Sequence, residues 1–167
     1  MTLHRRHLLQ FAGAAVLLSS PAGAAEKPCA VTRVLFVCPL GVVKSAIARE
    51  ELRRIVKARG LSVQIQSRGV EPPKDHPEND ISPALAAHLK EDGIDPFADP
   101  LRRFSREDAR QADIVIAFDE AAAAPGLEQA RAWKSPSWNS QYAQAKAALS
   151  QNLQTLADEL AVRPCAR

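Results

Sequence analysis

The chain has 167 residues, 46% hydrophobic and 25% charged, which suits one packed domain with a short extension. Its net charge of +3 includes Arg5 and Arg6; without residues 1–24, 20 basic residues face 19 acidic ones. That balance, with 5% aromatic residues, excludes the basic footprint and the stacking surface of a nucleic-acid binder.

The amino terminus reads as an export signal. Arg5-Arg6-His7-Leu8-Leu9 precedes an apolar run over residues 11–18, then Ser19-Ser20-Pro21 and the small-residue stretch Ala22-Gly23-Ala24. A basic segment, an apolar segment and an A-x-A site make a cleavable signal over residues 1–24. The paired arginines resemble the twin-arginine type, and the ordinary secretory route is the alternative. The apolar run is well short of the ~20 residues that a spanning helix needs. No other stretch is long enough either, so stable membrane insertion is not expected after cleavage. The expected location is the periplasm or the exterior of a bacterium. Residues 25–32 form a short mature segment, and residues 33–163 form the domain.

Val34-Leu35-Phe36-Val37 is an apolar run that ends at Cys38. Pro39, Leu40, Gly41, Val42 and Val43 follow, then Lys44 and Ser45. Beyond Ser45 the apolar residues Ala46, Ile47, Ala48, Leu52, Ile55 and Val56 have helical spacing. The pattern is strand, tight loop, helix. The loop then joins the carboxyl end of a strand to the amino end of a helix, where backbone N–H groups attract anions. A cysteine there is held toward its reactive thiolate. The competing reading is an inert buried cysteine that closes a strand.

Residues 61–66 alternate apolar and polar and read as a second strand, followed by Ser67-Arg68-Gly69-Val70. Residues 71–80, rich in proline and charge, read as loop. Residues 81–89 have helical spacing with Ser82-Pro83 near the start, and Asp92-Gly93-Ile94-Asp95 closes them. Residues 101–104 read as a short strand. Ser105, with Asp108 three residues on, has the form of a helix cap. Residues 113–119 are a buried strand that ends in the carboxylate of Asp119. Residues 140–161 are a long amphipathic helix.

The segment from Val34 to Arg54 resembles the first strand, phosphate loop and first helix of the low-molecular-weight protein tyrosine phosphatases. Arsenate reductases share that fold. The family signature is Cys, five residues, Arg, then Ser or Thr. Cys38, Ser45 and the apolar flanks agree with it. Lys44 stands where the family has Arg, Gly41 where it has Asn, and Leu40 where it has Gly. Ser67-Arg68-Gly69-Val70, Gly93-Ile94-Asp95 and the strand at 113–119 extend the resemblance over about residues 33–160, while Asp99 stands near a place where many relatives have His. The resemblance implies an α/β fold of three layers, with a central, mostly four-stranded parallel sheet between helices.

It also implies a chemistry. A thiolate, here Cys38, attacks phosphorus. Backbone amides of Pro39 to Val43 and a cation, here Lys44, hold the phosphate oxygens. Ser45 is placed to donate to the thiolate. An acid protonates the leaving group and later activates water. The family carries that acid as Asp-Pro before the last helix; this chain has Ser135-Pro136, followed by Ser137-Trp138. Asp119 is expected as a substitute acid or supporting residue, or else as a helix N-cap. Trp138 either lines the mouth of the cleft or packs the loop. His76 and His88 read as structural residues, with no metal site and no cofactor expected.

In an α/β layer fold the start of the first strand and the end of the last helix share one face, opposite the Cys38 loop. A Cys29–Cys165 disulfide is therefore expected, in keeping with an oxidising compartment, and two unpaired terminal thiols are the alternative. Cys38 is then the odd cysteine. Two functions remain open at this point: weak cysteine-dependent hydrolysis of phosphate monoesters, or binding of an oxyanion or partner protein without turnover. The expected partner is phosphate, another oxyanion or a phosphoprotein. Arsenate reduction ranks below both, because a thiol relay needs further cysteines near the site.

Overall fold

The structure is a computed structural model that describes residues 31–163. The signal segment, Cys29 and Cys165 lie outside the described residues. Four parallel strands form one sheet: β1 (Thr32–Cys38), β2 (Val63–Gly69), β3 (Ile114–Phe118) and β4 (Arg131–Trp133), in the order β2-β1-β3-β4. Four α-helices accompany them: α1 (Lys44–Ala58), α2 (Pro83–Glu91), α3 (Arg106–Gln111) and α4 (Tyr142–Val162). The three-layer α/β arrangement is the one the resemblance implied.

β1 lies between β2 and β3 and has cover on both faces, so its apolar residues run without alternation. Val34 pairs with Ile65 on one side and Ile114 on the other. Val34, Phe36 and Cys38 face a large cluster that includes Ile47 and Leu52 of α1 and Leu149, Leu153, Leu156 and Leu160 of α4. Leu35 and Val37 face a smaller cluster with Ala117, Ala121 and Leu127. Phe36, fully buried, lies 6.2 Å from the ring of Phe118 and 6.1 Å from that of Trp133. Truncating such a side chain to Ala costs about 3–5 kcal/mol.

Three elements differ from the sequence-based expectation. β2 starts two residues later than expected and runs on through Ser67-Arg68-Gly69, because these pair with Phe36, Val37 and Cys38. Ile65, Ser67 and Gly69 are its buried face, so the alternation continues in small residues. Residues 101–104 are not a strand. Gly69 donates its N–H to the carbonyl of Arg102 and accepts from the N–H of Phe104, giving an isolated bridge at Arg103. β4 falls in a stretch to which the sequence reading assigned no element; it is three residues long and mostly exposed, with no period to betray it. Within the loop at 71–80, Pro77–Asp80 forms one 3₁₀ turn.

Both expected helix starts bear caps. Ser82 accepts from the N–H of Leu85 at 3.2 Å, so α2 begins at Pro83. Ser105 and Asp108 form a reciprocal capping box at α3. α1 differs: its N-cap residue is Val43, and no side chain caps it. That open end points to the site.

Candidate functional site

Cys38 is the last residue of β1, and Ser45 is the second residue of α1. The turn between them folds back so that Cys38 Sγ lies 3.1 Å from Ser45 Oγ. The N–H of Gly41 donates to the same sulfur at 3.1 Å. The sulfur is thus held between the start of α1 and the turn that precedes it. Ser45 Oγ also lies 3.3 Å from the carbonyl oxygen of Arg68, to which it can donate. Cys38 is 3% exposed, on the floor of a cleft and not sealed in the core.

The loop is held from outside. Val70 N–H donates to Cys38 O at 3.1 Å, and Glu71 N–H to Pro39 O at 2.9 Å. Gly41 has φ +79, the left-handed region that glycine enters without strain. A Cβ at Gly41 would lie 2.7 Å from Gly69 N, and one at Gly69 would lie 2.4 Å from Leu40 O. The loop and the end of β2 therefore touch through two glycines. Among the described residues, the amides of Val42, Val43, Lys44 and Ser45 donate to no protein acceptor. Free amides at an uncapped helix start are what an oxyanion requires. Val42 is buried and Val43 half-buried beside the core, whereas Leu40 is 41% exposed.

Lys44 does not lean over the loop alone. Its ammonium is ion-paired with Asp119 Oδ2. Asp119 Oδ1 accepts from the N–H of Ser135 at 3.1 Å. Asp119 has φ +52, a strained setting for a residue other than glycine and a feature that clusters at functional sites. It opens a 3₁₀ turn, Asp119–Ala123, whose cap makes no side-chain hydrogen bond. The N-cap expectation for Asp119 is thus replaced by a bridge between the cation and the Ser135 loop.

Ser135 donates from Oγ to Pro136 O and accepts from Trp138 Nε1, both at 3.1 Å. Its hydroxyl is spent on shaping the loop. Trp138 is buried, its ring meets Tyr142 edge to face at 5.7 Å, and it lines the cleft. The cleft holds about 300 Å³; its lining includes Cys38, Lys44, Trp138, Ser137 and two residues that the sequence did not single out, Asp80 and Asn139. No motif marks either; their positions follow from the packing of two loops.

The Asp99 position is taken up by an arginine network. Arg53 pairs with Asp99 at 2.5 Å and with Glu50 at 2.8 Å. Buried Arg49 bonds Ser67 Oγ at 2.7 Å and Pro96 O at 3.1 Å. The Arg53 hydrogen bond, helped by the charge of Arg49, holds the Asp99 carboxyl below its usual range. This network braces α1 against β2 beneath the loop. His76 pairs with Glu78, and His88 stacks on Tyr142 at 4.3 Å. Among the described residues no group of His, Cys, Asp and Glu is arranged to hold a metal, and no helix is long and apolar enough to cross a membrane.

Residues 33–159 match the family model described as low molecular weight phosphotyrosine protein phosphatase. No curated protein matches the chain significantly. Solved structures do. A cysteine-to-serine variant of the YwlE arginine phosphatase, with a phosphorylated active-site serine, superposes with a TM-score of 0.64 at 17% identity, covering 81% of this chain and all of that one. A low molecular weight protein tyrosine phosphatase from T. tengcongensis gives 0.58 at 23% identity, covering 77% and 99%. The tyrosine phosphatase Wzb from Escherichia coli, in complex with sulphate, gives 0.58 at 20% identity, covering 78% and 99%. At these identities the structures establish the fold.

Proposed function

The chain belongs to the low molecular weight phosphotyrosine protein phosphatase family, and from that premise we propose that it hydrolyses phosphate monoesters, slowly, through Cys38. The observation that carries this reading is the sulfur of Cys38, held at 3.1 Å by both Ser45 Oγ and the Gly41 amide below a row of free loop amides. In this reading the thiolate attacks phosphorus and the loop amides take the equatorial oxygens. Lys44 adds charge, but as a point charge. An arginine fork would bind two oxygens at once, and that loss is one reason for a slow rate. Ser135 supplies no acid, which by itself costs about 10²–10⁴-fold when nothing replaces it.

A second reading, binding of an oxyanion or phosphoprotein without turnover, draws its support from two contacts. Lys44 is neutralised by Asp119, and Ser135 is tied up in its own loop. The hydrolytic reading is preferred because a binder has no use for an oxidisable sulfur poised in this way. The tripartite pattern over residues 1–24 supports export, so the proposed setting is the periplasm and the proposed partner a phosphoprotein there. Arsenate reduction is not proposed, since Cys38 is the one cysteine among the described residues.

The test is acid quenching during turnover of an aryl phosphate, followed by mass spectrometry. A phosphate adduct on the peptide that contains Cys38 supports hydrolysis. Binding of inorganic phosphate with no adduct at any time supports the second reading.

A further inference from the structure

We propose that Asp80 is the proton donor of this site, taking the part left vacant at Ser135. The proposal rests on the hydrolytic reading above. Asp80 ends the 3₁₀ turn Pro77–Asp80 and lines the same cleft as Cys38, Lys44 and Trp138. Its carboxylate makes no hydrogen bond and no ion pair among the described residues, although its backbone carbonyl does.

Asp119, which reaches the site through Lys44, differs from Asp80 in its partners. Asp119 has one oxygen on the ammonium of Lys44 and the other on the Ser135 amide. Both oxygens of Asp119 are therefore engaged in holding Lys44 and the Ser135 loop. Asp80 lines the cleft, and no described group holds either of its carboxylate oxygens.

Asp80 is also fixed in place. Asn139 donates from Nδ2 to Asp80 O at 3.1 Å and accepts from the N–H of Ser82 at 2.8 Å. One asparagine thus ties the Asp80 turn and the start of α2 to the loop that carries Ser135 and Trp138. The acid thus comes from a different loop, tied by that asparagine to the one that carries Ser135.

The steps balance. The Cys38 thiolate forms a bond to phosphorus. The bond from phosphorus to the leaving oxygen breaks, and its electron pair goes to that oxygen, which takes the proton of the Asp80 carboxyl. The Asp80 carboxylate then takes a proton from water as the water oxygen attacks phosphorus. The phosphorus–sulfur bond breaks, its electron pair returns to Cys38, and the products are the alcohol or phenol and inorganic phosphate.

The test is the dependence of kcat/KM on the leaving group, for the natural chain and Asp80→Asn, with Cys38→Ser as the blank. Phenyl phosphate, a poor leaving group, is compared with a dinitrophenyl phosphate, which needs no proton. Asp80→Asn is expected to lose about 100-fold on phenyl phosphate and less than about 3-fold on the activated ester. Retained activity on the activated ester shows that the variant is folded. Adding Ser135→Asp to Asp80→Asn is expected to restore much of the phenyl phosphate rate. Equal losses on both esters, or no loss on either, overturn the role of Asp80 and leave the hydrolytic reading standing. A natural chain no faster than Cys38→Ser on the activated ester overturns both.

Discussion

The ammonium of Lys44 and the carboxylate of Asp119, 75 positions apart in the chain, form an ion pair at the rim of the Cys38 loop. A phosphate must therefore compete with Asp119 for the cation of its own site. Relief of that competition is the expected result of Asp119→Asn. Asparagine tolerates a left-handed backbone, which suits φ +52 at this position, and its amide oxygen can still accept from Ser135. The affinity for inorganic phosphate is expected to rise about 3–10-fold, on the order of 1 kcal/mol for the loss of one nearby like charge. Calorimetric titration of phosphate into both proteins checks this. Weaker binding in the variant would mean that Asp119 positions Lys44 more than it occupies it.

Gly41 tests the loop. A Cβ there meets backbone atoms of Gly69 at 2.7 and 2.8 Å, which cannot yield as the Leu101 side chain at 2.9 Å can, and φ is +79. Gly41→Ala is expected to abolish measurable phosphate binding and to cost about 1–3 kcal/mol in stability. Gly60 is the control. It has φ +66 but nothing within 4 Å of an added Cβ. Gly60→Ala should cost about 1–2 kcal/mol from backbone conformation alone and leave phosphate binding unchanged. Denaturant melts and the same titration separate the two.

Glu159 on α4 ties the edge strand to the helix layer. It accepts from Arg131 of β4 at 2.8 Å and from Arg163 at 3.0 Å. The Arg131 hydrogen bond is the main reason its carboxyl falls to about 2. A carboxyl depressed by folding adds stability that is fully present above its ordinary range near 4.5. That contribution fades as pH falls toward about 2. Glu159→Gln is expected to destabilise by about 0.5–1 kcal/mol at neutral pH, since the pair is part exposed and screened by solvent. The gap between variant and natural chain should close in melts recorded from pH 5 down to pH 2. A gap that stays constant over that range would assign the contact to packing and not to charge.

The legible parts of this protein were local ones. Cys38 and Ser45 sit seven positions apart on one strand-loop-helix unit, so spacing alone brings them together. The two central strands are continuous apolar runs, and Ser105 with Asp108 sits within one helical turn. The Lys44–Asp119 pair was not legible. It joins distant elements and depends on a left-handed aspartate, which composition does not announce. Asp80 escaped for the same reason, since its place in the cleft is set by Asn139, 59 positions away. β4 was missed because three mostly exposed residues carry no period. β2 outran its expected end because Ser67 and Gly69, small and polar or bare, replace the apolar residues that mark a buried face.

The most direct measurement is the turnover of an activated aryl phosphate by the purified protein under reducing conditions, beside Cys38→Ser. The account predicts slow but measurable release of phosphate that Cys38→Ser abolishes, together with retained phosphate binding in that variant. Phosphate release that survives in Cys38→Ser, or no release from the natural chain at saturating substrate, would contradict it.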